Sequence, residues 1–177
     1  MKPKSKYNIY LRIPIPEDID FMLRMENDPE IWSVSQTTEP FTRFEIESFI
    51  TGNDHDLFRE LQQRFVVVLK DADIPIGSVD LFNYDADTNS AGVGISILKE
   101  YREKSYGTQA LELLIDKAFK DLRLKSLHCS IYDDNRASTR LFESLGFQRD
   151  KKSEPKYSSV KSDVRERFYR LEKNKYF

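Results

Sequence analysis

The chain has 177 residues, 33% charged and 39% apolar, with a formal net charge of −2; this suits one soluble domain around one core and gives no overall electrostatic drive toward nucleic acid. No apolar run approaches the roughly 18 residues of a membrane span, the longest being Phe65–Leu69, so no membrane partner is expected. A lone cysteine, Cys129, excludes an intrachain disulfide, and with only His55 and His128 beside it no zinc spacing can be assembled. Met1–Lys6 is basic but is followed by no apolar segment of signal-peptide type, so the expectation is a cytoplasmic protein, one domain over 1–177, without a metal.

In chain order, Tyr7 to Ile13 alternates as a first strand. Pro16 sits at a first helical position with Glu17 and Asp18 behind it, and Ile19, Met22 and Leu23 share a face; that helix should end near Asn27-Asp28-Pro29. Helices are predicted over Thr42–Ile50, with Phe44, Phe49 and Ile50 inward, and over Asp56–Gln63. Strands follow at Arg64–Leu69, Ile74–Tyr84 and Ala91–Leu98, joined by turns at 71–73 and 85–90. A long amphipathic helix runs from Thr108 to Leu122, then a strand from Leu127 to Tyr132. Asp134 is placed as the N-cap of a short helix that Gly146 terminates, and Phe147–Lys151 and Asp163–Leu171 form a terminal hairpin. The sum is an α/β sandwich on a mixed sheet.

Ile95 to Thr108 runs from a strand through a basic turn straight into a helix. Such a junction presents unsatisfied backbone N–H groups and the positive end of a helix dipole to an anion, and Arg102 and Lys104 add full charges. It reads as a phosphate cradle.

Tyr101-Arg102-Glu103-Lys104-Ser105-Tyr106-Gly107-Thr108 resembles the acetyl-CoA pyrophosphate loop of the GNAT N-acetyltransferase superfamily, written R/Q-x-x-G-x-G/A. Asn135-Arg136-Ala137-Ser138 through Gly146-Phe147 is similar to that superfamily's next motif, N-x-x-S and a short helix ending in Gly-Phe. Glu39-Pro40-Phe41 and Arg64-Phe65-Val66-Val67 resemble more loosely the spermidine/diamine and ribosomal-protein N-terminal acetyltransferase branches. The resemblance implies a three-layer αβα sandwich around a mostly antiparallel sheet, with a V-shaped splay between the strands near 91–98 and 127–132. It also implies acetyl-CoA as donor, its pantetheine arm on the backbone of Ile95 and Ile97 and its pyrophosphate on Arg102, Glu103, Lys104, Ser105, Tyr106, Gly107 and Thr108.

The implied chemistry is direct attack of an amine on a thioester, with no covalent enzyme intermediate, so Cys129 is expected to be a small buried strand residue. An alkyl ammonium of pKa about 10.4 must lose a proton, at about 1.36 kcal/mol for each unit above the ambient pH. The charge gained by the carbonyl oxygen needs a donor, for which a backbone N–H near Ile97 is placed. Three positions depart from the superfamily pattern: Ser105 replaces the first loop glycine, Phe142 stands where many relatives carry the tyrosine that protonates the thiolate, and Gly92 where many carry a glutamate base. Ser138, one helical turn before Phe142, is the candidate to solvate the thiolate, and Asn135 to bind pantetheine or an ordered water. Glu39 and Asp80 are the candidate bases.

Acids beside Trp32, Phe41, Phe82 and Tyr84 suit a cationic amine, so the acceptor is expected to be a polyamine-like small amine or a peptide N-terminus. A homo-oligomer is left open. A catalytically silent acyl-CoA sensor of the same fold is the alternative, resting on the missing tyrosine and glutamate. A doubly wound nucleotide-binding module is opposed by the antiparallel hairpins and by the lack of a complete Gly-x-Gly-x-x-Gly.

Overall fold

Alternating apolar residues in the first half of the chain become a meander of antiparallel strands. The structure, a computed structural model, describes residues 6–32, 39–153 and 166–177. Strands β1 (Ile9–Arg12), β2 (Gln63–Leu69), β3 (Ile74–Asp85), β4 (Ser90–Ile97), β5 (Ser126–Tyr132), β6 (Gln148–Arg149) and β7 (Glu166–Glu172) form one sheet in the order β1-β2-β3-β4-β5-β7-β6. All neighbours are antiparallel except β4 and β5. Helices α1 (Ile19–Glu26), α2 (Pro29–Trp32), α3 (Arg43–Gly52), α4 (Leu57–Glu60), α5 (Tyr106–Asp116), α6 (Arg136–Ser144) and α7 (Lys173–Tyr176) complete it, with a π turn at Lys117–Asp121 continuing α5.

Strand alternation splits the core in two. Phe65, Val67, Val79, Leu81 and Val93 meet α5 and α6 through Leu111, Leu114, Ile115 and Phe142 on one face. Val66 and Val68 meet Met22, Met25, Ile46 and Ile50 of α1 and α3 on the other. The central valines of β2 are therefore covered on both faces, which makes Phe65–Leu69 a continuous apolar run. This is the expected three-layer sandwich.

Local departures from expectation have local causes. Pro29 starts a helix instead of only ending one, because its missing N–H costs nothing at a first position. Phe44 is 76% exposed while Ile46 and Ile50 are buried, so the inward face of α3 lies two residues on, nearly opposite Phe44. The third helix shrinks to one turn between the Asp56 cap and a left-handed Leu61. Asn135, not Asp134, caps α6, its Oδ1 accepting from the Ser138 N–H at 3.1 Å. The expected strand over 147–151 is a strand at Gln148–Arg149, with one more backbone bond from the Asp150 N–H to the Phe168 carbonyl at 2.7 Å, and 163–165 of its partner lie outside the described residues.

Asp18, read as a helix-start acid, does more than favour the dipole. It is 2% exposed, accepts from Arg12 Nη2 at 2.8 Å and from the Ile15 N–H at 2.9 Å, and so ties β1 to the entry of α1. Replacing it by alanine strands a guanidinium and a backbone donor. Asp18→Ala should lose about 3 kcal/mol in denaturant unfolding; a loss under about 0.5 kcal/mol, the size of an ordinary surface change, would show the pair to be ornamental.

Candidate active site

The sheet opens where β4 leaves β5. Their parallel pairing is confined to Ser90↔Ser126, Ala91↔Leu127 and Gly92↔His128. Past Gly92 the strands diverge, each held only by its other neighbour, β3 or β7. The Leu98 N–H bonds the Ile76 carbonyl at 2.9 Å. Alternation then turns the N–H and C=O groups of Ile97, Ile95 and Val93 the other way, into the gap. This is the V expected between the two strands, with Ile95 and Ile97 on its wall.

At the mouth of the V, α5 begins without protection. Ser105 makes no side-chain cap, no acid stands in the first turn, and the first intrahelical bond is Gln109 N–H to Ser105 C=O. The N–H groups of Tyr106, Gly107 and Thr108 have no acceptor among the described residues. Glu103 and Ser105 are both left-handed, with φ of 61° and 62°. At each the Cβ crowds the backbone, on the order of 1 kcal/mol per residue. Ser105 thus keeps the conformation a glycine would take freely. A Cβ on Gly107 would stand 3.5 Å from Leu141 and 3.6 Å from Ile95, in ordinary contact, so space remains at the first turn between β4 and α6.

The two cations do not aim at this cradle as expected. Arg102 donates through Nε to the Ile97 carbonyl at 2.8 Å and through Nη1 to Glu30 of α2 at 2.9 Å. Lys104 donates to the Glu100 carbonyl at 2.9 Å and lies over the Tyr101 ring. Both are occupied by near backbone and carboxylate acceptors, leaving the backbone amides as the free donors of the cradle.

On the opposite face of the sheet, a cavity of about 370 Å³ lies between α1, α3 and the β2–β3 pair, lined among others by Glu26, Phe41, Glu45, Phe49, Arg64, Asp80 and Phe82. Arg64 and Asp80 are cross-strand partners. Arg64 Nε donates to Asp80 Oδ1 at 2.6 Å, its Nη1 reaches Glu26, and its guanidinium lies 5.6 Å from the Phe49 ring centre. Burial is the largest single influence on Arg64 and works to lower its pKa; Asp80 and Glu26 together outweigh it and raise the pKa above its ordinary value. The cavity reaches β4 through Phe82 and Asp80: a Cβ at Gly94 would lie 3.6 Å from the Phe82 ring and 3.8 Å from Asp80 Oδ2. A donor gap and an acid-and-aromatic cavity thus meet at Gly92–Gly94, where the sheet parts.

A family model described as "Acetyltransferase (GNAT) domain" matches residues 8–148. The chain belongs to the GNAT acetyltransferase family. It is 28% identical over 135 residues, 76% of this chain and 75% of the relative, to an uncharacterized N-acetyltransferase of Bacillus licheniformis. It is 28% identical over 102 residues, 57% of this chain and 56% of the relative, to the probable N-acetyltransferase YjcK of Bacillus subtilis. In three dimensions it matches the crystal structure of a Vibrio cholerae spermidine N-acetyltransferase in complex with CoA and spermine, with a TM-score of 0.80, 21% identity and coverage of 96% of this chain and 98% of that one. As a GNAT acetyltransferase it is acetyl-CoA-dependent, and the open V with free amides on α5 fits that cosubstrate.

Phe142 and Gly92 are the positions where the resemblance implies a tyrosine and a glutamate. Phe142 is 3% exposed and stands edge-on to Phe147 at 5.0 Å, a core side chain with no proton to give. Ser138 is half-buried one turn before it, and its hydroxyl has no hydrogen-bond partner among the described residues. Asn135 spends Oδ1 on the cap, which leaves its amide nitrogen for other use. At Gly92 any Cβ would fall 2.5 Å from Phe82, whose ring fills the space a side chain there would need. Gly92 and Phe82 are one steric unit.

Other expected site residues scatter. Phe41 and Phe82 line the cavity, Phe41 pinned by Asn27, which bonds both its N–H and its carbonyl. Glu39 is exposed two residues earlier and does not line it, since the pinned backbone directs Phe41 inward instead. Tyr84 does not line it either: left-handed Asn83 breaks the alternation of β3, and Tyr84 turns to the other core to meet Phe58 edge-on at 5.0 Å. Trp32 closes α2, and its side chain lies outside the described residues. Glu26, Phe49 and Arg64 are not among the expected site residues; no motif marks Glu26 or Phe49, and Arg64 enters only through the loose resemblance of Arg64-Phe65-Val66-Val67, which assigns it no role.

Two outcomes test this geometry. Gly92→Ala should cost about 1–3 kcal/mol by overpacking against Phe82, and adding Phe82→Leu should restore most of it; an unperturbed single variant would refute the steric unit. Burial pushes the Cys129 thiol up to about 12, so it stays protonated at all milder pH. Iodoacetamide at pH 8 should leave native protein unlabelled and label it only on unfolding, as read by mass spectrometry.

Proposed function

We propose that the protein transfers the acetyl group of acetyl-CoA to a small cationic primary amine by direct attack, the amine entering the cavity lined by Phe41, Phe49, Phe82 and Asp80. One observation carries this: the cavity with acids and aromatic walls abuts β4 at Gly94, beside the opening of the V. Aromatic faces and carboxylates favour an alkyl ammonium, and the Vibrio cholerae enzyme of the same fold is described in complex with CoA and spermine. The same proposal takes 1–177 as one domain, since β7 beyond the family match joins the same sheet.

Acetyl-CoA supplies an acetyl thioester; the transfer forms a C–N bond, breaks the C–S bond, and releases CoA thiol and the proton the ammonium gave up. Around that chemistry the chain's residues have separate tasks. The N–H groups of Tyr106, Gly107 and Thr108 hold the pyrophosphate, and the backbone of Ile95 and Ile97 holds the pantetheine arm. The Ile97 N–H faces the gap and donates to the carbonyl oxygen as it gains charge. Asp80 accepts a hydrogen bond from the amine and favours its orientation and deprotonation. Ser138 solvates the leaving sulfur, with Asn135 beside it at the helix start.

Thiol release from acetyl-CoA, measured with spermidine, an aminoglycoside and a short peptide, tests the proposal. Spermidine-class amines should turn over with the lowest KM, and Ser138→Ala should lower kcat on the order of tenfold to a hundredfold. A raised Tm with CoA but no thiol release from any amine would overturn transfer and leave binding alone. Turnover of the peptide alone would overturn the small-amine acceptor.

A further inference from the structure

The charged triplet inside the cavity is unevenly built. Asp80 gives its two oxygens different surroundings: Oδ1 receives Arg64 Nε at 2.6 Å, while Oδ2 has only a long contact with Nη2 at 3.3 Å. It is Oδ2 that lies toward Gly94, 3.8 Å from where a Cβ would be, and the missing side chain leaves that oxygen open toward β4. Arg64 is itself held at three points, by Asp80 on β3, by Glu26 on α1 and by the face of Phe49 on α3. A guanidinium is planar and donates in a fixed fork, so these holds determine where Asp80 points. Sheet and helical layer are thereby tied across the cavity floor by one side chain.

We propose that Arg64, braced by Glu26 and Phe49, is a positioning residue that pins Oδ1 of Asp80 and presents Oδ2 over Gly94 to receive an N–H of the acceptor amine. This rests on the assignment of the cavity as the amine site. Arg64 touches neither the amine nor the acetyl group; it works through Asp80. A second consequence concerns charge. With Glu26 and Asp80 sharing one cation, the triplet keeps a net charge of −1, so an entering ammonium is attracted without either carboxylate being left unpaired when the site is empty.

A double-mutant cycle on the full chain tests it, with kcat and amine KM from thiol release and CoA affinity from calorimetry. Asp80→Asn should lower kcat roughly tenfold to a hundredfold, and Arg64→Met should lower it comparably, both with CoA affinity unchanged. The double variant should be no slower than Asp80→Asn alone, because Arg64 has nothing left to aim. Arg64→Lys keeps a charge between the two acids but loses the fork, so it should stay folded, melt near wild type, and still lose kcat; it serves where Arg64→Met does not fold. Full multiplication of the two single effects, or wild-type kcat in Arg64→Lys, would overturn the positioning role. Wild-type kcat in Asp80→Asn would overturn the assignment of Asp80 at the amine site, on which the proposal stands, while leaving the donor site untouched.

Discussion

Two parallel strands that pair over three residues and then part organise this protein. A continuous parallel ladder between β4 and β5 would satisfy every backbone group along both strands. Instead the pairing stops at Gly92↔His128, and the inward N–H groups of Ile95 and Ile97 and the carbonyls of Val93 and Ile95 are left to whatever enters the gap, the Ile97 carbonyl being taken by Arg102. The parting is tolerated because β4 remains paired to β3, and β5 to β7, along their outer edges. The helices on the α5 face then flank the opening: the free N-terminus of α5 stands at its mouth, and Leu141 of α6 approaches Gly107 across it.

Both of the proposed substrate sites follow from that one opening. The donor side uses backbone, through strand amides and the first turn of α5, which explains why Ser105 can replace glycine: what matters is the left-handed conformation, and serine adopts it at a modest cost. The acceptor side uses side chains on the other face, where β3 presents Asp80 and Phe82 across from Gly94 and Gly92. With no side chain at 92 the Phe82 ring has its space, and with none at 94 Asp80 is open toward β4.

Much of this was legible from residue order. Periodicity marked β2, β3, β4 and β5, and α5 together with its π turn, to within two residues, because each buries a regular face. The strand, basic turn and helix around Arg102 marked the uncapped start of α5, because an exposed helix start is a local property. The acceptor site was only half visible. Counting back from the β2–β3 turn, where Leu69 faces Ile74, pairs Arg64 with Val79 and sends Asp80 to the wrong face; the bulge opposite Val67/Val68 shifts the register and pairs Arg64 with Asp80. A second irregularity at Asn83 moved Tyr84 out of the site.

Residue order by itself determined the family, the acetyl donor and the uncapped helix start proposed to receive it, since these depend on contiguous motifs whose backbone geometry is set within a few residues. Tertiary structure alone decided where the cations went and which acid lines the cavity beside Gly94. Arg102 and Lys104 carry the charge expected of them but turn to Glu30 and nearby carbonyls, and Asp80 is joined to Glu26 only because Arg64 spans sheet and helix. Long side chains take the nearest satisfied arrangement in space, and neighbours in space are chosen by strand register and layer packing.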